Sequence, residues 1–164
     1  MPRVFRSERT INVENETENK KQEEQPVSSR TAALIAARAA DEKKATDIMV
    51  QEVKELIGVT DYFVIATASN NRQVEAIIDE VEEKLRVEAG IKPLHRETTS
   101  DGSWELLDYG HIVVHVFQPE TRDHYRLEAL WNDAPVVDLE SEAGITDLVY
   151  SERIAKLIEA ARAE

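Results

Sequence analysis

The chain has 164 residues, with 20 Lys plus Arg against 33 Asp plus Glu and a formal charge of −13, and that length favours one compact domain with flanking segments. The acidity argues against a free-standing DNA or RNA clamp, whose affinity comes from clustered cations that displace counterions, so no direct nucleic-acid contact is expected. No run approaches the roughly 18 to 20 apolar residues of a membrane helix, and there is no cysteine for disulfides, thiolate metal sites or a thiol nucleophile.

Residues 1–20 lack the apolar stretch of a secretory signal, and a cysteine-free composition suits a reducing compartment. The expectation is a cytoplasmic protein with no membrane partner. The charge is unevenly spread: 6 basic and 6 acidic residues in 1–30, 11 and 22 in 31–140, and 3 and 5 in 141–164. The acidity therefore belongs to the middle of the chain.

Residues 1–29 are dominated by Glu, Asn, Gln, Lys and Arg, a composition that cannot repay the entropy of ordering, and read as a flexible polar segment. Ser28 and Ser29 offer a cap for an alanine-rich helix over about 30–44. The β-branched run Ile48 to Val53 and the apolar run Tyr62 to Thr67, separated by Gly58, read as neighbouring strands. Ser69 is placed to cap a second helix whose Val74, Ile77, Ile78, Val81 and Leu85 form one apolar stripe, ended by Gly90.

Leu94 to Glu97, Trp104 to Asp108 and His111 to Phe117 read as strands of a meander, with a polar turn at Asp101 and Gly102 and a break at Gly110. In the last strand Ile112, Val114 and Val116 face one way, and Val113 and Phe117 the other with His111 and His115, the pattern of a strand covered on both sides. Pro119 suits the first turn of a helix through Trp131, residues 135–139 an edge strand, and Ser151 the start of a last amphipathic helix, either packing or partner-binding, with Ile154, Leu157, Ile158 and Ala161 on one face. The fold class expected is α/β, a small mixed sheet packed by helices. The domain spans 30–140, with 141–164 as a helical C-terminal extension.

Few constellations carry chemistry. The glycines are too far apart to cradle a phosphate, and no serine sits in a nucleophile elbow. On a strand, four residues separate His111 from His115 by about 13 Å, too far for one metal ion. His95 and His124 join them only if the tertiary fold allows. Asp61, Glu97, Asp101, Glu105 and Asp108 are numerous enough for a magnesium-carboxylate site, but in so acidic a chain a solvated surface and turn-forming aspartates explain them as well. The aromatic residues say more. Of nine, Trp104, Tyr109, Phe117, Tyr125 and Trp131 crowd into one stretch, and a small sheet cannot easily bury them all, so at least two are expected at an interface.

The segments KATDIMVQEV, TDYFVIATASNNRQVEAI and GSWELLDYGHIVVHVFQPETRDHYRLEALW resemble the ribosomal silencing factor family, RsfS or Iojap-like, over residues 31–134. This sequence differs in having Ala68 where glycine is common, and Arg96, Thr98 and Thr99 around Glu97 where a Glu-Gly pair is usual. The resemblance implies a sheet similar to that of nucleotidyltransferases but without their Gly-Ser loop and D-x-D pair, no enzymatic activity and no cofactor. It implies docking on the large ribosomal subunit through ribosomal protein fourteen of that subunit, where the small subunit joins, and hence a block on subunit association.

Carried over residue by residue, the docking surface would use Trp104, Leu107, Asp108, Tyr109 and Phe117, with Glu97, Tyr125 and Trp131 as weaker members for which, at Tyr125 and Trp131, helix-to-sheet packing is the competing role. When free, the same surface would favour a homodimer. The competing functional class is a metal-dependent nucleotidyl or phosphoryl transferase, which requires the acids near Asp61 and Asp108 to converge. An RNA-binding adaptor would instead draw on the basic residues of 1–44.

Overall fold

The computed structural model describes residues 27–162, and the flexible segment expected over 1–29 lies almost wholly outside them. Helix α1 (Ser29–Glu42) starts where Ser28 accepts a hydrogen bond from the Thr31 amide at 3.1 Å. Its alanines at 32, 33, 36, 37, 39 and 40 are buried, and such short side chains let the helix lie close to the sheet. Strand β1 (Thr46–Glu52) pairs antiparallel with β2 (Tyr62–Thr67), the one-turn helix α2 (Lys54–Ile57) and Gly58 making the reversal.

Helix α3 (Asn71–Lys84) follows, extended by a wider π turn over Leu85–Ala89 that closes at Gly90. Its cap is Asn70, which accepts from the Gln73 amide at 2.9 Å, and not Ser69. Ser69 instead donates its amide and hydroxyl to the Gln73 side chain, at 2.6 and 2.8 Å. Strands β3 (His95–Thr98), β4 (Trp104–Asp108) and β5 (Ile112–Phe117) form the expected antiparallel meander. Because β5 lies parallel to β2, the sheet is mixed, with order β1-β2-β5-β4-β3.

Two expectations fail after β5. The helix expected from Pro119 to Trp131 is broken at Arg126, whose φ of +49° ends α4 (Pro119–Tyr125) and starts α5 (Leu127–Leu130). The break turns the chain so that Arg122 and Glu128 both point into the protein. Residues 135–139 make no strand beyond a single bridge from Val136 to Gln51, because Asp138 caps another helix, α6 (Leu139–Ala143). Position 140, expected to end the domain, falls within α6, whose Leu139 and Ala143 are buried. Helix α7 (Glu152–Arg162) packs Ile154 and Ile158 on the sheet. No helix among the described residues is long and apolar enough to cross a membrane.

The period of two along each strand sorts the side chains into two layers. Ile48, Val50, Val64, Ala66, Leu107, Ile112, Val114 and Val116 lie under α1 and α3. On the opposite face Met49, Ile65 and Phe117 meet Ile154 and Ile158. A buried ion network ties this second layer down. Glu128, with no exposed side chain, stands 2.7 Å from Arg153 Nη1 and 3.6 Å from Arg122 Nε, and Arg122 is 1% exposed. Arg122 also donates to Thr67 Oγ1 at 2.9 Å and to the Asp47 carbonyl.

Removing Glu128 would leave Arg122 buried beside a second cation. Glu128→Ala should therefore cost about 3 to 5 kcal/mol of stability, read as a drop in the urea midpoint. Arg153→Ala should cost clearly less, since Arg122 still faces the carboxylate; equal losses would mean the network is not the source.

Candidate partner-binding surface

On β4 the alternation sends Glu105 and Leu107 toward α1 and α3, and Trp104, Leu106 and Asp108 toward the second face. Across the meander Glu97 pairs with Leu106 and His95 with Asp108, so these share that face, while Arg96 turns the other way to bond Asp79, Glu82 and Glu105. Helix α7 covers only the β1, β2 and β5 side. Around β4 and β3 the second face stays open, with a shallow cleft of about 170 Å³ between Glu97, Thr98, Thr99, Trp104 and Leu106.

The expected docking residues do not all reach this surface. Leu107 (0% exposed) and Tyr109 (5%) belong to the core beneath the helices, and burial pushes the Tyr109 hydroxyl far above its ordinary titration range. Phe117 (0%) faces the right way but lies under Trp104. Leu107 and Phe117 have no accessible area and Tyr109 almost none, so these three lie beneath the open surface and not on it. Trp104 and Asp108 are partly exposed, and Glu97 is exposed on the edge strand. Tyr125 is half exposed and packs on Trp104 with ring centroids 4.9 Å apart. Trp131 packs against Phe63 at 6.4 Å and its carbonyl accepts from Gln51, a helix-to-sheet role. Leu106, partly exposed beside Trp104, was not anticipated, although its place two residues along the strand signals it.

Trp104 is held on three sides. Its ring stacks on Phe117 at 4.7 Å, Tyr125 covers another side, and Nε1 donates to His115 Nδ1 at 3.2 Å. The preceding turn is pinned by Asp101, whose Oδ1 accepts from the Thr99 hydroxyl and from the Ser103 amide and hydroxyl. Gly102 takes φ +72°, a backbone posture that favours glycine, and a Cβ there would stand 3.1 Å from the Asn71 side-chain amide, which would have to shift slightly.

The acids weighed for a metal are occupied separately. Asp61 accepts from the Ser29 hydroxyl at 2.5 Å, Glu105 from Arg96 at 2.8 Å and Asp108 from the Gly110 amide at 2.8 Å. Among the described residues no three His, Asp or Glu side chains stand close enough to hold an ion. Among the described residues, the acids near Asp61 and Asp108 do not gather into the cluster that a metal-dependent transferase requires.

A sequence model of the family described as ribosomal silencing factor during starvation, RsfS, matches residues 26–161. The chain belongs to the RsfS family. The ribosomal silencing factor RsfS of Bacillus subtilis is 38% identical over 114 residues, which cover 70% of this chain and 96% of that protein. A mouse relative named mitochondrial assembly of ribosomal large subunit protein 1 is 33% identical over 95 residues, 55% of this chain and 40% of its own length. A crystal structure of a protein from Chromobacterium violaceum superposes with a TM-score of 0.61 at 35% identity, covering 64% of this chain and 87% of that one. The family match includes α6 and most of α7, well past the region 31–134 in which the sequence motifs are recognisable.

The buried His115 of this RsfS-family chain makes its acid stability measurable. Burial pushes its imidazole down to about 4, against a smaller opposing pull from Asp108. In the unfolded chain it takes up a proton near 6.5, so its contribution is complete above that pH and is lost as pH falls toward 4, on the order of 3 kcal/mol in all. Asp41 acts in the opposite sense. Burial and the adjoining Asp147 carboxylate raise it to about 6, so stability from Asp41 grows as pH falls through the same range. Comparing variants separates the two: His115→Gln should lose stability less steeply than the parent between pH 6.5 and 4 in urea unfolding, and parallel curves would contradict a neutral buried His115.

Proposed function

We propose that this chain docks on the large ribosomal subunit through ribosomal protein fourteen of that subunit, at the face where the small subunit joins, and blocks subunit association by occupying that space. What supports the reading beyond family membership is the half-open aromatic platform of Trp104, with Leu106 and Tyr125 beside it and Glu97 and Asp108 at its rim. A rigid ring seated on a packed base and ringed by charge has the character of an interface anchor.

The electrostatics point the same way. The segment 31–140 carries 22 acidic against 11 basic residues, which repels bare RNA and attracts a basic protein surface. Occlusion needs no covalent step, so no catalytic activity and no cofactor are assigned to the chain. It acts in the cytoplasm, where ribosomal subunits meet, and when free it pairs with a second copy through the same aromatic surface.

Trp104→Ala should leave a folded protein, because the ring is only partly buried, yet weaken co-sedimentation with purified large subunits by about 30-fold to 1,000-fold, the equivalent of about 2 to 4 kcal/mol. Leu107→Ala should act differently, lowering stability by about 2 to 5 kcal/mol while the protein that remains folded still docks. The decisive assay adds excess protein to separated subunits and follows their rejoining on a gradient. Full particles forming at the normal yield would overturn the proposal.

A further inference from the structure

We infer that His115 is a positioning residue for docking: from inside the sheet its Nδ1 holds the indole of Trp104 and so sets which edge of the ring the partner meets. This rests on the docking surface proposed above. The stacked Phe117 and tilted Tyr125 confine the plane of the indole, but stacking is tolerant of rotation within that plane. The bond from Trp104 Nε1 to His115 Nδ1 removes that freedom.

The chemistry of the pair is one-directional. An indole N–H only donates, so Nδ1 must be bare and the imidazole proton must sit on Nε2. That nitrogen is buried and finds no partner among the described residues. Phenylalanine or leucine would fill the same space without burying an unpaired donor, so packing alone does not account for an imidazole here. The surroundings keep the ring neutral. Phe63 lies edge-on at 5.3 Å and Ile65 and Leu106 flank it on the adjoining strands.

The charged groups near this pocket are few. Asp108 on β4 favours the protonated ring. On α4, Tyr125 packs against the indole and His124 against Tyr125. Glu128 on α5 is taken by Arg122 and by Arg153 of α7. Protonation of Nδ1 would set one donor against another and release the indole.

The test separates orientation from docking. With only two tryptophans in the chain, the Trp131→Phe background leaves Trp104 as the single indole, visible as one N–H signal in nitrogen-15 spectra and as the sole indole emitter. In this background His115→Leu should shift that signal and weaken co-sedimentation with large subunits by about tenfold, the scale of one lost hydrogen bond. His115→Gln, whose side-chain oxygen accepts in place of Nδ1, should keep docking within about threefold of the parent.

Acidification of the Trp131→Phe protein with His115 intact should move the Trp104 emission with a midpoint well below 6.5, which needs no substitution at His115 to fold. The inference fails if His115→Leu docks as the parent does, if Leu and Gln weaken docking equally, or if the indole signal is unchanged in all. Should the parent itself not co-sediment while the indole signal still moves in His115→Leu, the docking reading falls and takes the docking role of His115 with it, leaving only the bond.

Discussion

A five-stranded sheet must bury two faces, and this chain has enough helix to cover one of them and part of the other. Helices α1 and α3 close the first face, where every inward residue of β2, β5 and β4 is apolar except Glu105, which meets Arg96. On the second face α7 and the α4–α5 corner close the β1, β2 and β5 side, and on β4 only Tyr125 reaches across to Trp104. The remainder, over β4 and β3, is open to solvent. The candidate surface is thus what the packing leaves uncovered, and its residues alternate with core residues on the same strand.

The partial cover is attached by ions as well as by apolar contact. Helix α7 buries little of itself, essentially Ile154 and Ile158. Its Arg153 completes a network with Glu128 and Arg122 that also reaches Asp47 and Thr67 on the first two strands. Asp47 takes φ +49° at the irregularity in β1, a backbone posture that costs energy for a residue with a side chain. It is compensated locally, since its amide donates to the Val149 carbonyl and its carboxylate accepts from the Ser151 amide. The segment leading into α7 and the first strand therefore hold each other in place.

Much of this was legible in the sequence, for physical reasons that can be named residue by residue. The apolar stripe from Val74 to Leu85 and the alternation in β4 and β5 survive into the fold because periodicity reports burial directly. The corner at Arg126 was not legible. A non-glycine residue at positive φ leaves no local signature, and the burial of Arg122 with Glu128 arises from tertiary partners more than fifty residues away, such as Thr67. The candidate surface is half legible: the motif locates the strand, but Leu107, Tyr109 and Phe117 are buried, and Leu106, on the open face, is not among the residues that the motif suggests. A shared motif does not distinguish the side chain that meets a partner from the one that supports it.

The split between rim and centre on the open face has kinetic consequences. In the proposed docking, acidic groups such as Glu97 and Asp108 would act over a Debye length of about 8 to 10 Å and govern how often a basic partner arrives in register. Once water is expelled, Trp104 would govern how long it stays, because differences in affinity among related complexes lie mostly in dissociation. A ring on a fixed base forfeits little rotamer freedom on binding, so the layer of Phe117, His115 and Tyr125 around Trp104 would contribute to affinity without reaching the partner itself. In that physical sense buried members of the motif would matter to the proposed docking: they hold the partly exposed tryptophan before the encounter, whereas an indole free to turn would have to be ordered during it.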